Sequence, residues 1–252
     1  MGCDNSEVEH VLPLSTEKRT KCGSHLTSPD DLVHWPQFPE GTKSLLCKFL
    51  TKEIWDMYHD KVDAAGVSFK QCIFSGCKNL DSGIGVYAGS EDSYTAFKVF
   101  FDRIIDDYHG HGPNDSHVSN MNADELNCPP FEEHEAALIK STRIRVGRNL
   151  ANYPLGPGIS DDQRDEVMQA VVDACNGFEG DLAGKFYPLD GMTEEDQQQL
   201  IADHFLFKEG DRFLEACGVN RNWPKGRGIF HNEAKTFLVW VNEEDELRII
   251  SM

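Results

Sequence analysis

The stretch HGHGPNDSHVSNMNADELNCPP, residues 109–130, divides the chain into two textures that no single element can bridge. It is rich in Gly, Pro, Asn and His and has no hydrophobic period, so it reads as an interdomain linker. Before it, apolar residues recur at helical steps. Thr51 precedes KEIWDMYHDKV, whose Ile54, Trp55, Met57 and Tyr58 form a short helical face. Ser90 is placed to cap EDSYTAFKVFFDRIIDDYHG, where Tyr94, Phe97, Phe101, Ile105 and Tyr108 recur every three or four residues. Core packing explains that aromatic stripe without a cofactor. After the linker, ALIKSTRIRVGR reads as a strand and DDQRDEVMQAVVDACNGF as a helix with acids at its positive end. Thr193 opens a further helix, TEEDQQQLIADHFLF, with Asp196 in a capping-box-like place. KTFLVWVN and ELRIISM read as two strands joined by an acidic turn. The expected fold class is α+β: a tail over 1–28, a small all-helical domain over 29–112, a linker over 113–135, and an α+β domain over 136–252 with an antiparallel sheet flanked by helices.

Charge narrows the function. Acids outnumber bases 43 to 24, giving a net charge of −19. Nucleic acid is excluded as a partner, because a polyanion needs cationic surfaces that release counterions. An acidic protein that binds an anion must concentrate its few cations, so clustered arginines carry weight. The eight cysteines, at 3, 22, 47, 72, 77, 128, 175 and 217, are scattered without zinc-site spacing. No secretory apolar segment precedes them, so they read as reduced thiols in a cytoplasmic protein, and the Asn114-Asp115-Ser116 sequon reads as chance. No apolar run approaches the ~18 residues of a membrane span. The opening MGCDNS matches a myristoylation pattern at Gly2, with Cys3 beside it for a second acyl chain, and membrane association is expected only if both are acylated.

The histidines of the linker, His109, His111 and His117, have no set of partners spaced for a metal. The glycine-rich segments also fail as phosphate loops. GIGVYAG is one residue off the dinucleotide spacing, and EGDLAGKF lacks both the earlier Gly and the Ser/Thr that would meet magnesium. DGMTEED lacks the early acids of a calcium loop. Two other features carry chemistry. Arg143 and Arg145 lie two apart on a strand, so their guanidiniums share one face about 7 Å apart. That suits either adjacent phosphates of one ligand or an exposed face tied by salt bridges. Glu243, Glu244 and Asp245 crowd one hairpin, where self-repulsion requires a cation, and Arg248 lies just beyond. The turn is either solvated, or it holds a carboxylate against a cationic substrate to orient it and accept its proton.

The strings STRIRVGR, DHFLFKEGDRFL, GRGIFHN and KTFLVWVNEEDELRIISM resemble the phosphagen (guanidino) kinase family, and SGIGVYA and FKEGDRF are nearest its arginine kinase branch. The resemblance runs from about residue 29 to the end. It implies phosphoryl transfer between ATP and a guanidino acceptor, L-arginine favoured, with Mg2+ carried by the ATP or ADP. By position, Ser141, Thr142, Arg143, Ile144 and Arg145 would hold nucleotide phosphates, and His204 and Arg248 would also contact nucleotide. Glu244 would meet the guanidino nitrogens. Ser82, Gly83, Ile84, Gly85, Val86 and Tyr87 would form the loop over the amino-acid end of the acceptor. The family pattern continues beyond RIISM through strands with a reactive Cys, further Arg residues and a second substrate Glu, so 136–252 is expected to be an incomplete catalytic domain with little activity. A second class stays open: a catalytically silent, membrane-tethered binding protein that keeps part of the pocket.

Overall fold

Short polar caps set where the helices of the N-terminal half begin. In the computed structural model, which describes residues 18–252, the side chains of Ser44, Thr51 and Ser68 accept hydrogen bonds from the backbone of Cys47, Ile54 and Gln71. They start α1 (Leu45–Phe49), α2 (Lys52–Tyr58) and α3 (Phe69–Lys78). The acylation pattern at Gly2 and Cys3 lies outside the described residues. A two-residue parallel pair, β1 (Thr20–Lys21) with β2 (Pro36–Gln37), precedes these helices. It draws Cys22 and Leu26 into the helical core, so the ordered fold begins inside the stretch expected to be a tail.

The long helix expected after Ser90 is two helices, α4 (Ser93–Ala96) and α5 (Lys98–His109), separated at Phe97 with φ −113° and ψ 31°. Asp92 flanks α4 without a side-chain cap bond, while the Ser90 hydroxyl accepts from the Ser93 N–H at 3.3 Å. The Ser90 hydroxyl donates to buried Asp63, which also accepts from Ser93 Oγ and from the amides of Ala65 and Val67. Because the helix restarts after Phe97, its buried face is Phe97, Phe100, Phe101 and Ile104, while Tyr108 is 60% exposed. Phe69 lies edge-on to Phe97 and Phe100 with ring centroids 5.3 and 5.2 Å away. Such contacts add to the ~2 kcal/mol that burial of one large apolar side chain supplies.

Residues 113–143 are exposed throughout and irregular apart from one 3-10 turn and α6 (Glu133–Ala136). The strand read from ALIKSTRIRVGR is confined to β3 (Ile144–Arg148), because the ALIK portion completes α6 and its turn. Next come α7 (Asp161–Asn176), β4 (Gly184–Pro188), α8 (Glu194–Ala202), α9 (Arg212–Cys217), β5 (Gly228–Asn232), β6 (Phe237–Val241) and β7 (Leu247–Ser251). Ser160 and Thr193 cap α7 and α8. The second of these stops at Ala202, and the HFLF that follows is not helical: His204 turns to φ 60° and sends Phe205 and Phe207 into the core.

The five strands form one antiparallel sheet in the order β3-β7-β6-β5-β4. Alternation divides its residues between two faces. Phe230, Val239 and Val241 meet Val171 and Cys175 of α7, while Ile229, Leu238 and Ile250 meet Leu200 of α8 with Phe205 and Phe207. The fold is thus α+β, with a helical N-terminal domain and a helix-flanked sheet. The two halves join through α9, which lies on α3: Ser75 Oγ donates to the Phe213 carbonyl at 2.9 Å, and Arg212 pairs with Asp81.

Candidate active site

The loop at 82–87 is held by backbone bonds to two helices. Gly83 and Ile84 accept from Leu45 and Leu46 at 3.0 and 2.9 Å, and Tyr87 N–H donates to the Cys72 carbonyl at 2.8 Å. Its C-terminal end forms one wall of a cavity of about 430 Å³ between the two halves of the molecule. Val86 and Tyr87 line that wall, Asn149 and Val219 line the sides, and Glu244 and Asp245 line the far end. Burial pushes the Tyr87 phenol up to about 12, so it stays protonated and available as a donor.

The far end is the β6–β7 hairpin. Arg248 is the cation that offsets its acids: one guanidinium nitrogen is 2.7 Å from Glu244 and 3.2 Å from Asp245, and the other is 3.2 Å from Glu243. Three carboxylates against one guanidinium leave the turn anionic. Burial raises the Glu243 carboxyl, and Arg248 only partly counters it. Register fixes the rest. Arg145 lies opposite Ile250 and Gly147 opposite Arg248, so Arg145 and Arg248 project from the same sheet face. Asp245 fits over β3 because residue 147 has no side chain: a Cβ there would stand 2.2 Å from the Asp245 carboxylate.

The structure therefore gathers Val86, Tyr87 and Glu244 around one cavity, and Arg145 and Arg248 on one face beside it. Ser141, Thr142 and Arg143 are exposed just before β3, and Ile144 is exposed within it. Neither Arg143 nor Arg145 forms an ion pair among the described residues, so neither is engaged in surface salt bridges. His204 is exposed after α8, the helix that covers the Arg145 face. Ser82 is buried, and Gly85 has φ +81°. The sequence reading missed Asn149 and the Arg212–Asp81 link, and no spacing in the chain brings either to notice.

Two domain models of one family match the chain in order: the ATP:guanido phosphotransferase N-terminal domain over residues 40–106 and its C-terminal catalytic domain over 166–252. An arginine kinase of Anthopleura japonica is 54% identical over 211 residues, 83% of this chain and 29% of the relative. Arginine kinase Lit v 2.0101 of Penaeus vannamei is 50% identical over the same share of this chain and 59% of its own. The chain thus spans less than two thirds of the length of the curated relatives it matches. The crystal structure of a lombricine kinase superimposes with a TM-score of 0.79 at 36% identity, covering 90% of this chain and 61% of that one. The substrate-free duplicated taurocyamine kinase of Schistosoma mansoni does so at 0.75 and 35%, covering 84% and 30%. With both domain models in register with the two halves of the fold, the chain belongs to the ATP:guanido phosphotransferase, or phosphagen kinase, family.

Proposed function

We propose that this chain carries phosphoryl-transfer chemistry between ATP and a guanidino acceptor, with L-arginine as the acceptor. The observation that carries the reading is the cavity shared by Val86 and Tyr87 on one side and an acid-rich turn on the other. A guanidinium entering it meets an excess of carboxylate, and Glu244 is the acid placed to orient it and take its proton as the N–P bond forms. Arg143 and Arg145, whose side chains have no ion-pair partner among the described residues, and Arg248 on the same face as Arg145 supply bidentate donors for a triphosphate. Ser141, Thr142 and Ile144 flank Arg143 and Arg145 in the chain, and His204, exposed after α8, is the further nucleotide contact in this reading. Mg2+ enters with the nucleotide as part of the substrate. Holding the two reactants in line and neutralising charge on the moving group is the whole of the protein's task in this chemistry. The loop 82–87 grips the amino-acid end, and relatives named for arginine, with 48–54% identity, favour that acceptor over lombricine or taurocyamine.

Titration of the chain with L-arginine and with Mg·ADP tests this. Glu244→Gln is expected to weaken arginine binding about 10- to 100-fold, the scale of one charge-assisted hydrogen bond, and to leave ADP within about twofold. Unchanged arginine affinity in Glu244→Gln, or a chain that binds neither ligand, refutes the assignment. The proposed setting is the cytosol, with acylation at Gly2 and Cys3 as a route to a membrane surface. Among the described residues no helix is long and apolar enough to cross a membrane. A clickable myristate analogue is expected to label the wild-type chain and not Gly2→Ala, and label that survives the substitution ends the acylation proposal.

A further inference from the structure

Of the four acids at the β6–β7 hairpin, Glu246 is the one that is buried, with 2% of its surface exposed. Each of its polar groups but one is bonded. Its N–H donates to Asn149 Oδ1 at 3.0 Å, its carbonyl accepts from Asn242 N at 3.0 Å, and its Oε2 accepts from Leu150 N at 2.5 Å. Its Oε1 has no partner among the described residues. Glu246 also lines a small space of about 10 Å³ that shares Gly156, Val219, Glu244 and Asp245 with the acceptor cavity. A carboxylate with an orphan oxygen is a costly filler for an interior position, where an apolar side chain would serve packing better. What the acid adds is the cross-link: its side chain and backbone tie the hairpin to Asn149 and Leu150, nearly a hundred residues earlier in the chain. That segment continues into Gly156 and Pro157, which line the same cavity as Glu244.

We propose that Glu246 is a positioning residue, fastening the acidic turn, and with it Glu244, to the 149–157 wall of the acceptor cavity. The proposal deepens the acceptor reading above and rests on it for its consequence in binding, though the latch itself can be detected without a ligand. Glu246 touches no substrate. It sets the direction from which Glu244 meets the guanidinium, and it determines whether the two walls of the cavity move together.

The full chain is compared with Glu246→Ala, Glu246→Gln and Asn149→Ala by hydrogen exchange read by mass spectrometry, and each is titrated with L-arginine. In Glu246→Ala, amide exchange is expected to rise at least about tenfold in peptides covering 149–157 and 242–247, the scale of one lost buried hydrogen bond. Exchange in β5 stays as in the wild type, and arginine affinity falls about tenfold with ADP affinity unchanged. Glu246→Gln restores both readouts, because the amide oxygen still accepts from Leu150 N–H. Asn149→Ala, at an exposed position that leaves folding intact, loosens the same two segments from the other side. Wild-type exchange in both segments in Glu246→Ala and Asn149→Ala overturns the proposal. So does a Glu246→Gln chain as loose as Glu246→Ala, which would make the charge and not the bond decisive. A wild-type chain that fails to bind arginine refutes the acceptor reading, while the exchange comparison still decides the latch.

Discussion

Replacing Arg227 with Ala is expected to lower folding stability by about 3–5 kcal/mol, read as a fall in the urea midpoint of the chain. Arg227 is 1% exposed, among the largest side chains that are fully buried, and no carboxylate lies within ion-pair distance of it among the described residues. Its charge is spread over carbonyl oxygens instead: Val219 at 2.7 Å, Lys225 at 2.8 Å and Arg221 at 3.3 Å. The Trp223 ring lies 5.0 Å from the guanidinium carbon. Two effects oppose each other. Burial, reinforced by neighbouring Arg164, weakens the cation and brings its pKa down to about 10, so removing the charge relieves a penalty. Removing the group also strands the Val219 and Lys225 carbonyls, since only the Arg221 carbonyl keeps a second donor in Arg164, and it opens a cavity; for Ala this second effect wins because nothing refills the space. Arg227→Met keeps most of the volume and removes the charge, so its cost is expected to be smaller, about 1–2 kcal/mol. Equal losses in the two variants would show that the charge, and not the packing, supplies the stabilisation.

The division between what the chain discloses and what it hides follows the range of the interactions involved. Caps at Thr51 and Thr193 act over three residues and are plain in the sequence. So is the need for a cation beside Glu243, Glu244 and Asp245, met by Arg248 a few positions on. The aromatic stripe of α5 is legible only to within one step, since Phe97 and Phe101 belong to both the expected and the observed face. The break at Phe97 that separates them depends on tertiary packing. Strands β4 and β5 left no period to find. Every residue of β5, GIFHN, is buried, so the alternation that marks a half-exposed strand is missing. At the site, Arg145 and Arg248 are locally readable, but their shared face depends on a register set across a hundred residues. Glu246 reads as one more acid in an acidic turn, and only its burial and its bonds to Asn149 and Leu150 distinguish it.

Gly76→Ala is expected to weaken arginine binding by more than about tenfold, while leaving Mg·ADP affinity within about twofold. The reason is a close approach that no other residue permits. A Cβ on Gly76, within α3, would stand 2.3 Å from the carbonyl oxygen of Gly85, 2.7 Å from its Cα and 2.7 Å from Leu46 Cδ2. Backbone on one side and a fully buried Leu on the other leave no flexible end to move aside. The helix is the more rigid partner, so the loop yields. Displacing Gly85 strains the bonds from Leu45, Leu46 and Tyr87 that hold residues 83–87 in place, and Val86 and Tyr87 leave the cavity wall. The overpacking itself costs about 1–3 kcal/mol of stability. The nucleotide contacts escape because Arg145 and Arg248 stand on the sheet and their register owes nothing to the loop. The two titrations separate the outcomes. Parallel loss of arginine and ADP would mean general unfolding, and loss of neither would mean that the loop is not a wall of the acceptor site.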